Sequence, residues 1–455
     1  MPTPLPFRLR ALTAAASFAF ERGWLPTPRA LLDTPHDARL RRKSMRIACR
    51  PGDPSIRTED HRVQGRGGPI HARVYTRPDT RPGAPAILFI HGGGFVDGGV
   101  DFCDNVQRGL AARTGCVVVG LSYRLAPEHP FPAGLEDCQD VLCWLAESTP
   151  AGLDPTRIAV GGESAGGNLT VALALASRDA GGPAIAHLSI YYPFTDTTLR
   201  SADWDTSDMP GVGRAEGEFM VKVYAPNDAN HPLVSVLHAK LAGLPPSTVI
   251  TCGHDPLRSD GIWLAEALRA AGVRTLHTHY DDMPHGFLMF SRLTRRADES
   301  LDEMARETAK AFASSSERRT RREALVLEHM SSENVQEWER TMKTFSHARY
   351  ELPDGRVIDG HDDVMRYWLE GRAVVPDQRN ELIALTHLDD VHVQIEFWLR
   401  GTPKPSGQPF EVRLWAVYDF DGDDLMTNER VYTQAPTADQ IAGRVTPDGR
   451  RPAGP

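Results

Sequence analysis

RIAVGGESAGGNLTVALALA, residues 157–176, decides the class of fold. A short apolar strand, Arg157–Val160, runs into Gly162-Glu163-Ser164-Ala165-Gly166, and a helical pattern of small and apolar residues follows. A serine on so tight a strand-to-helix turn takes a strained backbone conformation, which the flanking glycines permit because they carry no side chains to collide. Its hydroxyl then stands exposed at a helix N-terminus, where a nucleophile would be placed.

Outward from this turn the chain alternates. Apolar, β-branched runs at 86–90, 117–121, 158–160, 188–191 and 249–251 are short and bounded by Gly or Pro, as buried strands are. Between and after them lie helical patterns at 135–145, 169–176, 263–270 and 304–312. Strands alternating with helices predict an α/β fold over about residues 55–312, a largely parallel sheet with helices on both faces. The less regular stretches, 1–54 and about 195–238, are expected to form a helical cap over the carboxyl edge of that sheet.

A serine nucleophile needs a base and an acid, and on this strand–turn–helix frame they follow it in the order nucleophile, acid, base. Asp255 ends the strand at 249–251, within GHDPLRSDG, and His285 lies in MPHGF after the strand 273–279. Both fall where a strand gives way to a loop, on the sheet edge that carries Ser164. Asp260, Asp281 and Asp282 are the competing acids. Asp260 is expected inside the following helix and Asp281 and Asp282 in the histidine's own loop, so Asp255 leads. His91-Gly92-Gly93-Gly94-Phe95 follows the strand 86–90, and its glycines let backbone N–H groups, with that of Ala165, surround a developing oxyanion.

HGGGF at 91–95, SYRLAPEHPFPA at 122–133, GESAGGNL at 162–169, YYP at 191–193, DPLRSDG at 255–261 and MPHGF at 283–287 together resemble the hormone-sensitive-lipase-like esterases. The resemblance covers about residues 55–312. It implies an eight-stranded α/β-hydrolase core with an N-terminal helical cap, and hydrolysis of short to medium acyl esters without metal or organic cofactor. Position by position it assigns Ser164, Asp255 and His285 to a catalytic triad, and Gly93, Gly94 and Ala165 to the oxyanion hole. The family often has Asp where this chain has Glu163, and Met283-Pro284 before His285 is a further local departure.

Residues 313–322, ASSSERRTRR, lack large apolar side chains and read as a linker. Beyond it the pattern changes class. Trp338, Met342 and Phe345 share one helical face, Val364, Tyr367 and Trp368 mark a second helix, and alternating strands follow at 391–399 and 412–418. Helices followed by antiparallel strands predict a smaller α+β domain over 323–445, with a flexible tail at 446–455. This part is similar to the polyketide-cyclase-like (SnoaL-like) cones, which implies a pocket on the concave sheet face. His392, Gln394, Glu396 and Trp398, the polar face of one strand, are the candidates to line it, or else that face is solvated or a homodimer surface. DFDGDD at 419–424 reads as a hairpin turn, because Gly422 comes too early for a calcium loop and Arg430 stands where such a loop closes with Glu.

Composition sets the outer bounds. At 455 residues, with 41% hydrophobic and 24% charged, the chain has the balance of a globular protein of about two domains. A formal net charge of −9 gives no basic field of the kind phosphate backbones demand, which argues against nucleic acid as a partner. The six cysteines show no metal-ligand spacing and read as reduced thiols, as in the cytoplasm. Arg8 and Arg10 precede an apolar stretch at 11–20, but Ser17 interrupts it and Glu21 and Arg22 follow, so an amphipathic helix is expected rather than a secretory signal. No apolar run is long enough for a stable membrane anchor. Two other functional classes stay open at this level: a bifunctional enzyme whose C-terminal cone performs an isomerase or cyclase step, and a non-catalytic binding protein on a hydrolase scaffold. Amide hydrolysis, which uses the same triad, also stays open.

Overall fold

The computed structural model of the chain describes residues 3–21, 48–206, 212–313, 315–388, 391–421 and 424–434. The chain divides into two units, Met1–Phe312 and Ala313–Pro455.

The first unit is built on eight strands: β1 (Arg57–Gly65), β2 (Gly68–Thr76), β3 (Ala86–Ile90), β4 (Val117–Ser122), β5 (Ile158–Glu163), β6 (His187–Tyr191), β7 (Ser247–His254) and β8 (Thr275–Pro284). Their order is β1-β2-β4-β3-β5-β6-β7-β8. β1 and β2 pair antiparallel, as do β2 and β4, and from β4 to β8 the sheet is parallel. Helices α1 (Phe7–Glu21), α2 (Asp104–Thr114), α3 (Ala133–Ser148), α4 (Ala165–Ala180), α5 (Asp203–Thr206), α6 (Arg214–Tyr224), α7 (Arg258–Ala270) and α8 (Arg296–Phe312) complete it.

The uninterrupted apolar runs are explained by burial on both faces. All five residues of β3 are buried, and they divide by parity: Ala86, Leu88 and Ile90 join one apolar cluster, Ile87 and Phe89 the other. Val117 and Val119 against Val118 repeat the division in β4. Truncating such a side chain to Ala typically costs about 2–5 kcal/mol.

Because β3, β5, β7 and β8 run parallel, the loops after them open on one edge of the sheet. HGGGF follows β3, Ser164 follows β5, Asp255 follows β7 and His285 follows β8. The segment between β6 and β7, read as a cap insertion, carries α5 and α6. Of the expected N-terminal cap, α1 is described and residues 22–47 lie outside the described residues, as does the tail at 446–455. Among the described residues no helix is long and apolar enough to cross a membrane.

The second unit consists of α9 (Ser315–Asn334), α10 (Trp338–Met342), α11 (His361–Val374) and a six-stranded sheet. Its strands are β9 (Arg349–Glu351), β10 (Val357–Asp359), β11 (Arg379–His387), β12 (His392–Gly401), β13 (Phe410–Phe420) and β14 (Met426–Tyr432), in the order β10-β9-β14-β13-β12-β11. All pairs are antiparallel except β14 with β9. Val326 and Met330 of α9, Val364 and Trp368 of α11, and Val393, Ile395 and Phe397 of β12 form its core.

One expectation is overturned here. Residues 315–322, most of the expected linker, are the first turns of α9. Arg318 and Arg321 donate to the Asp424 carboxylate at 3.2 and 2.8 Å, and Arg322 pairs with it at 2.9 Å. Arg322 is 1% exposed, its guanidinium lying 5.2 Å from the centre of the Phe420 ring. A run of arginines reads as solvated unless its counter-charge is known, and this counter-charge lies about a hundred residues downstream. Asp424→Ala strands a buried guanidinium and is expected to destabilise the second unit by roughly 3 kcal/mol or more. Calorimetric unfolding of the full chain checks this as a lowered transition for that unit.

Candidate active site

Ser164 has φ 56° and ψ −120°, the strained turn expected between β5 and α4. Its N–H donates to the Tyr191 carbonyl at 2.9 Å, and its carbonyl accepts from Asn168 and Phe194, both at 3.2 Å. The turn is closed because Gly166 lies against the preceding loop: a β-carbon there would be 2.2 Å from the Ile90 carbonyl oxygen. Any larger residue would push the elbow away from the HGGG loop.

The Ser164 hydroxyl lies 3.0 Å from His285 Nε2, and His285 Nδ1 lies 2.9 Å from Asp255 Oδ2. The other Asp255 oxygen accepts the Leu257 N–H at 2.8 Å, and the backbone N–H of His285 donates to the His254 carbonyl at 3.2 Å. Asp255 and the imidazole are therefore each held from two sides. Tyr192 sets its ring edge-on to His285 at 4.8 Å between centroids, walling one side of the imidazole. Burial pulls the His285 imidazole down, but neighbouring Asp255 and the more remote Glu163 outweigh it, and the net direction is up.

The competing acids are engaged elsewhere. Asp260, buried in α7, accepts the N–H groups of Thr195 and Asp196 at 2.9 Å each, which fastens the start of the cap segment. Asp281 accepts from Thr3, and Asp282 pairs with Arg296 at 3.4 Å. Both lie in β8, which runs on to Pro284, rather than in the loop expected for them.

Of the three glycine amides in the HGGG loop, the first is engaged inside the fold. Gly92 donates to Glu163 Oε1 at 2.6 Å. Gly93 sits at φ 104°, where its carbonyl accepts from Val96 and Asp97, and a β-carbon would lie 2.2 Å from the Asp97 carbonyl oxygen. Gly94 has φ 61° and lies under Met220 of α6. Ala165 opens α4, so its N–H is among those a helix leaves unpaired within itself.

Sequence reasoning passed over the part played by Glu163. Its carboxyl is buried, which pushes it up against the pull of His285 and of the Gly92 N–H. It links the residue before the nucleophile to the loop expected to hold the oxyanion. A buried acid between a glycine and the nucleophile, facing a second glycine loop, was the available signal.

A family model described as the alpha/beta hydrolase fold matches residues 87–289, a span that contains every residue of this constellation. Carboxylesterase NlhH of Mycobacterium tuberculosis is 38% identical over 256 residues, covering 54% of this chain and 80% of that protein. The chain belongs to this α/β-hydrolase family. It is an enzyme of the serine-hydrolase class. Esterase LipI of the same organism is 36% identical over 271 residues, covering 57% of this chain and 84% of the relative. The structure of a hyperthermophilic esterase from Pyrobaculum calidifontis superposes with a TM-score of 0.60 at 34% identity, covering 68% of this chain and 100% of that one. Among the described residues of this α/β hydrolase no cluster of three or more His, Cys, Asp and Glu has the arrangement of a metal site. Its cysteines are unbridged, and all but Cys143 are buried.

The second candidate site requires correction. A cavity in the C-terminal unit is lined by Phe397 and Leu399 of β12, not by His392, Gln394, Glu396 and Trp398. Side chains alternate along a strand, and the apolar set Val393, Ile395 and Phe397 takes the side packed against the helices. The polar set makes outer-face pairs instead: His392 with Asp419 at 3.4 Å, Glu396 with Arg413, and Trp398 beside the Arg400 guanidinium.

Proposed function

We propose that the chain hydrolyses carboxylic esters of short to medium acyl length through an acyl-enzyme on Ser164. The observation that carries this reading is the unbroken line from Ser164 Oγ through His285 to Asp255, at 3.0 and 2.9 Å. With Nδ1–H donated to Asp255, Nε2 is left as the acceptor for the serine proton. As Ser164 Oγ attacks the carbonyl carbon, that proton passes to Nε2, and Asp255 stabilises the imidazolium. The carbonyl oxygen becomes an oxyanion, bound by the N–H groups of Gly93, Gly94 and Ala165; each such donor is worth about 3–4 kcal/mol in the transition state. Collapse expels the alcohol, which takes the proton from Nε2. Water then repeats the cycle on the acyl-enzyme and releases the acid.

Acyl length is assigned to the cap. Met220 lies over Gly94, and Tyr224 stacks on Phe95 with centroids 3.7 Å apart, so apolar side chains of α6 crowd the oxyanion loop. Chromogenic esters of graded acyl length, run on the intact chain, test this. Turnover is expected to peak at short to medium chains, and a maximum at long-chain esters would refute it.

The reaction needs neutral His285, whose ionisation is displaced upward, so kcat/KM is expected to fall with acidification around a midpoint above the ordinary histidine value of about 6.5. Glu163→Gln keeps an acceptor for Gly92 but removes a negative charge that favours the imidazolium. Its midpoint is expected to move toward acid, and a midpoint unmoved or raised would show that Glu163 has no electrostatic hold on His285.

A further inference from the structure

Asp203 opens α5, the short helix of the cap segment, and is 7% exposed. Its carboxylate is engaged with α7, the helix that follows the acid Asp255. Oδ2 accepts the Ser259 N–H at 3.1 Å and the Ser259 hydroxyl at 2.6 Å, and Oδ1 accepts from the Arg258 guanidinium. Leu257, at the N-terminal boundary of α7, supplies no side-chain cap, so Asp203 caps the first turn from across the fold. The same turn holds Asp255. Its side chain accepts the Leu257 N–H at 2.8 Å and its carbonyl the Arg258 N–H at 3.1 Å. These two amides immediately precede the one that Asp203 fixes.

Through its next residue α5 reaches the rest of the site. The Trp204 ring stands edge-on to Phe194 at 5.5 Å, and Phe194 donates its N–H to the Ser164 carbonyl at 3.2 Å. Trp204 also packs on Gly217 of α6, where a β-carbon would lie 2.8 Å from the indole, and α6 carries Met220 over Gly94. One short helix of the cap is therefore tied to the acid's helix, to the nucleophile's turn and to the helix over the oxyanion loop.

We propose that Asp203 is a positioning residue for the triad: it seats the cap on the first turn of α7 and thereby holds Asp255 against His285. It acts through that turn and not on the reacting atoms, and its role rests on the ester-hydrolysis reading of Ser164. Without the carboxylate, Arg258 and the Ser259 N–H lose their acceptor, the first turn of α7 loosens, and Asp255 moves with it. Displacement of a triad member by about 1 Å costs up to about a hundredfold in rate. A second consequence separates positioning from mere support of the fold. Burial lowers the His285 imidazole, and of the two charged groups that face it, Asp255 and Glu163, Asp255 raises it more; Ser164 and Tyr192 are its neutral neighbours. A loosened Asp255 therefore lets the histidine midpoint fall.

Steady-state kinetics of the full chain across pH, on a short and a medium acyl ester, tests this with Asp203→Ala, Ser259→Ala and the double variant, beside Ser164→Ala. Asp203→Ala is expected to lower kcat at least about tenfold on both esters, to leave KM within about threefold and to move the midpoint toward acid. Ser259→Ala removes one uncharged donor and should shift kcat and midpoint in the same direction by less. The double variant should lose no more than Asp203→Ala alone, because the hydroxyl acts through that carboxylate. Near-ultraviolet circular dichroism reports folding, and should Asp203→Ala fail to fold, Ser259→Ala carries the same comparison. A folded Asp203→Ala with parental kcat, a change confined to KM or an unmoved midpoint would overturn the proposal, and so would additive losses in the double variant. Loss of turnover in Ser164→Ala upholds the underlying reading whatever the result at Asp203, and turnover that survives it overturns both.

Discussion

Ser164→Ala is expected to lower kcat for ester hydrolysis by roughly a million-fold, the scale on which loss of a triad nucleophile acts. The substitution removes one oxygen, and with it the attacking atom and the proton that His285 Nε2 is placed to accept at 3.0 Å. The fold should survive. The bonds that set the turn are backbone bonds, from Ser164 N–H to the Tyr191 carbonyl and from Asn168 and Phe194 to the Ser164 carbonyl, and alanine makes all of them. The strained φ of 56° is borne equally by either residue. Thermal unfolding and circular dichroism of the variant should match the parent. A folded variant that keeps more than about one per cent of turnover, free of host esterase, would remove Ser164 from the mechanism.

Asp255→Asn is expected to cost about ten-thousand-fold in kcat with little change in structure, because an amide in place of the carboxylate favours the wrong histidine tautomer. The carboxylate now accepts both His285 Nδ1–H and Leu257 N–H, and asparagine retains one such acceptor oxygen but presents N–H groups on the other side. Asp281→Asn and Asp282→Asn serve as comparisons, since these two are engaged with Thr3 and Arg296 and not with the imidazole. Each should retain turnover within about tenfold of the parent. Steady-state kinetics on the three variants decides between them, and a larger loss at Asp281 or Asp282 than at Asp255 would contradict the assignment.

The parallel part of the sheet and the elbow were legible in the sequence because burial on both faces forces continuous apolar runs such as 86–90, and because a strained nucleophile turn leaves little choice of residue around Ser164. β1 and β2 escaped notice. They form the antiparallel end of the sheet, β1 at its edge, with polar residues on one side, as in RTEDHRVQG, and half of each pattern faces water. Glu163 was noticed only as a departure from a family pattern, since its hydrogen bond to Gly92 joins residues 71 apart in the chain. The second unit shows the sharper limit. Alternation along β12 identifies two faces, but not which one the helices cover; of the two readings left open for the polar set, cavity lining or a solvated or homodimer face, the cavity lining fails, because the apolar set faces the cavity. The Arg318–Arg322 run failed for a related reason, as its partner Asp424 belongs to a turn distant in sequence.

The central claim is that Ser164 becomes covalently acylated. A fluorophosphonate, which traps activated serine nucleophiles as stable esters, tests it directly when the full chain is labelled, digested and mapped by mass spectrometry. The account predicts one equivalent of label per chain on the peptide containing Ser164, and none on that peptide in Ser164→Ala or after denaturation before labelling. Stoichiometric label on any other residue, with Ser164 unmodified and turnover abolished, would contradict it.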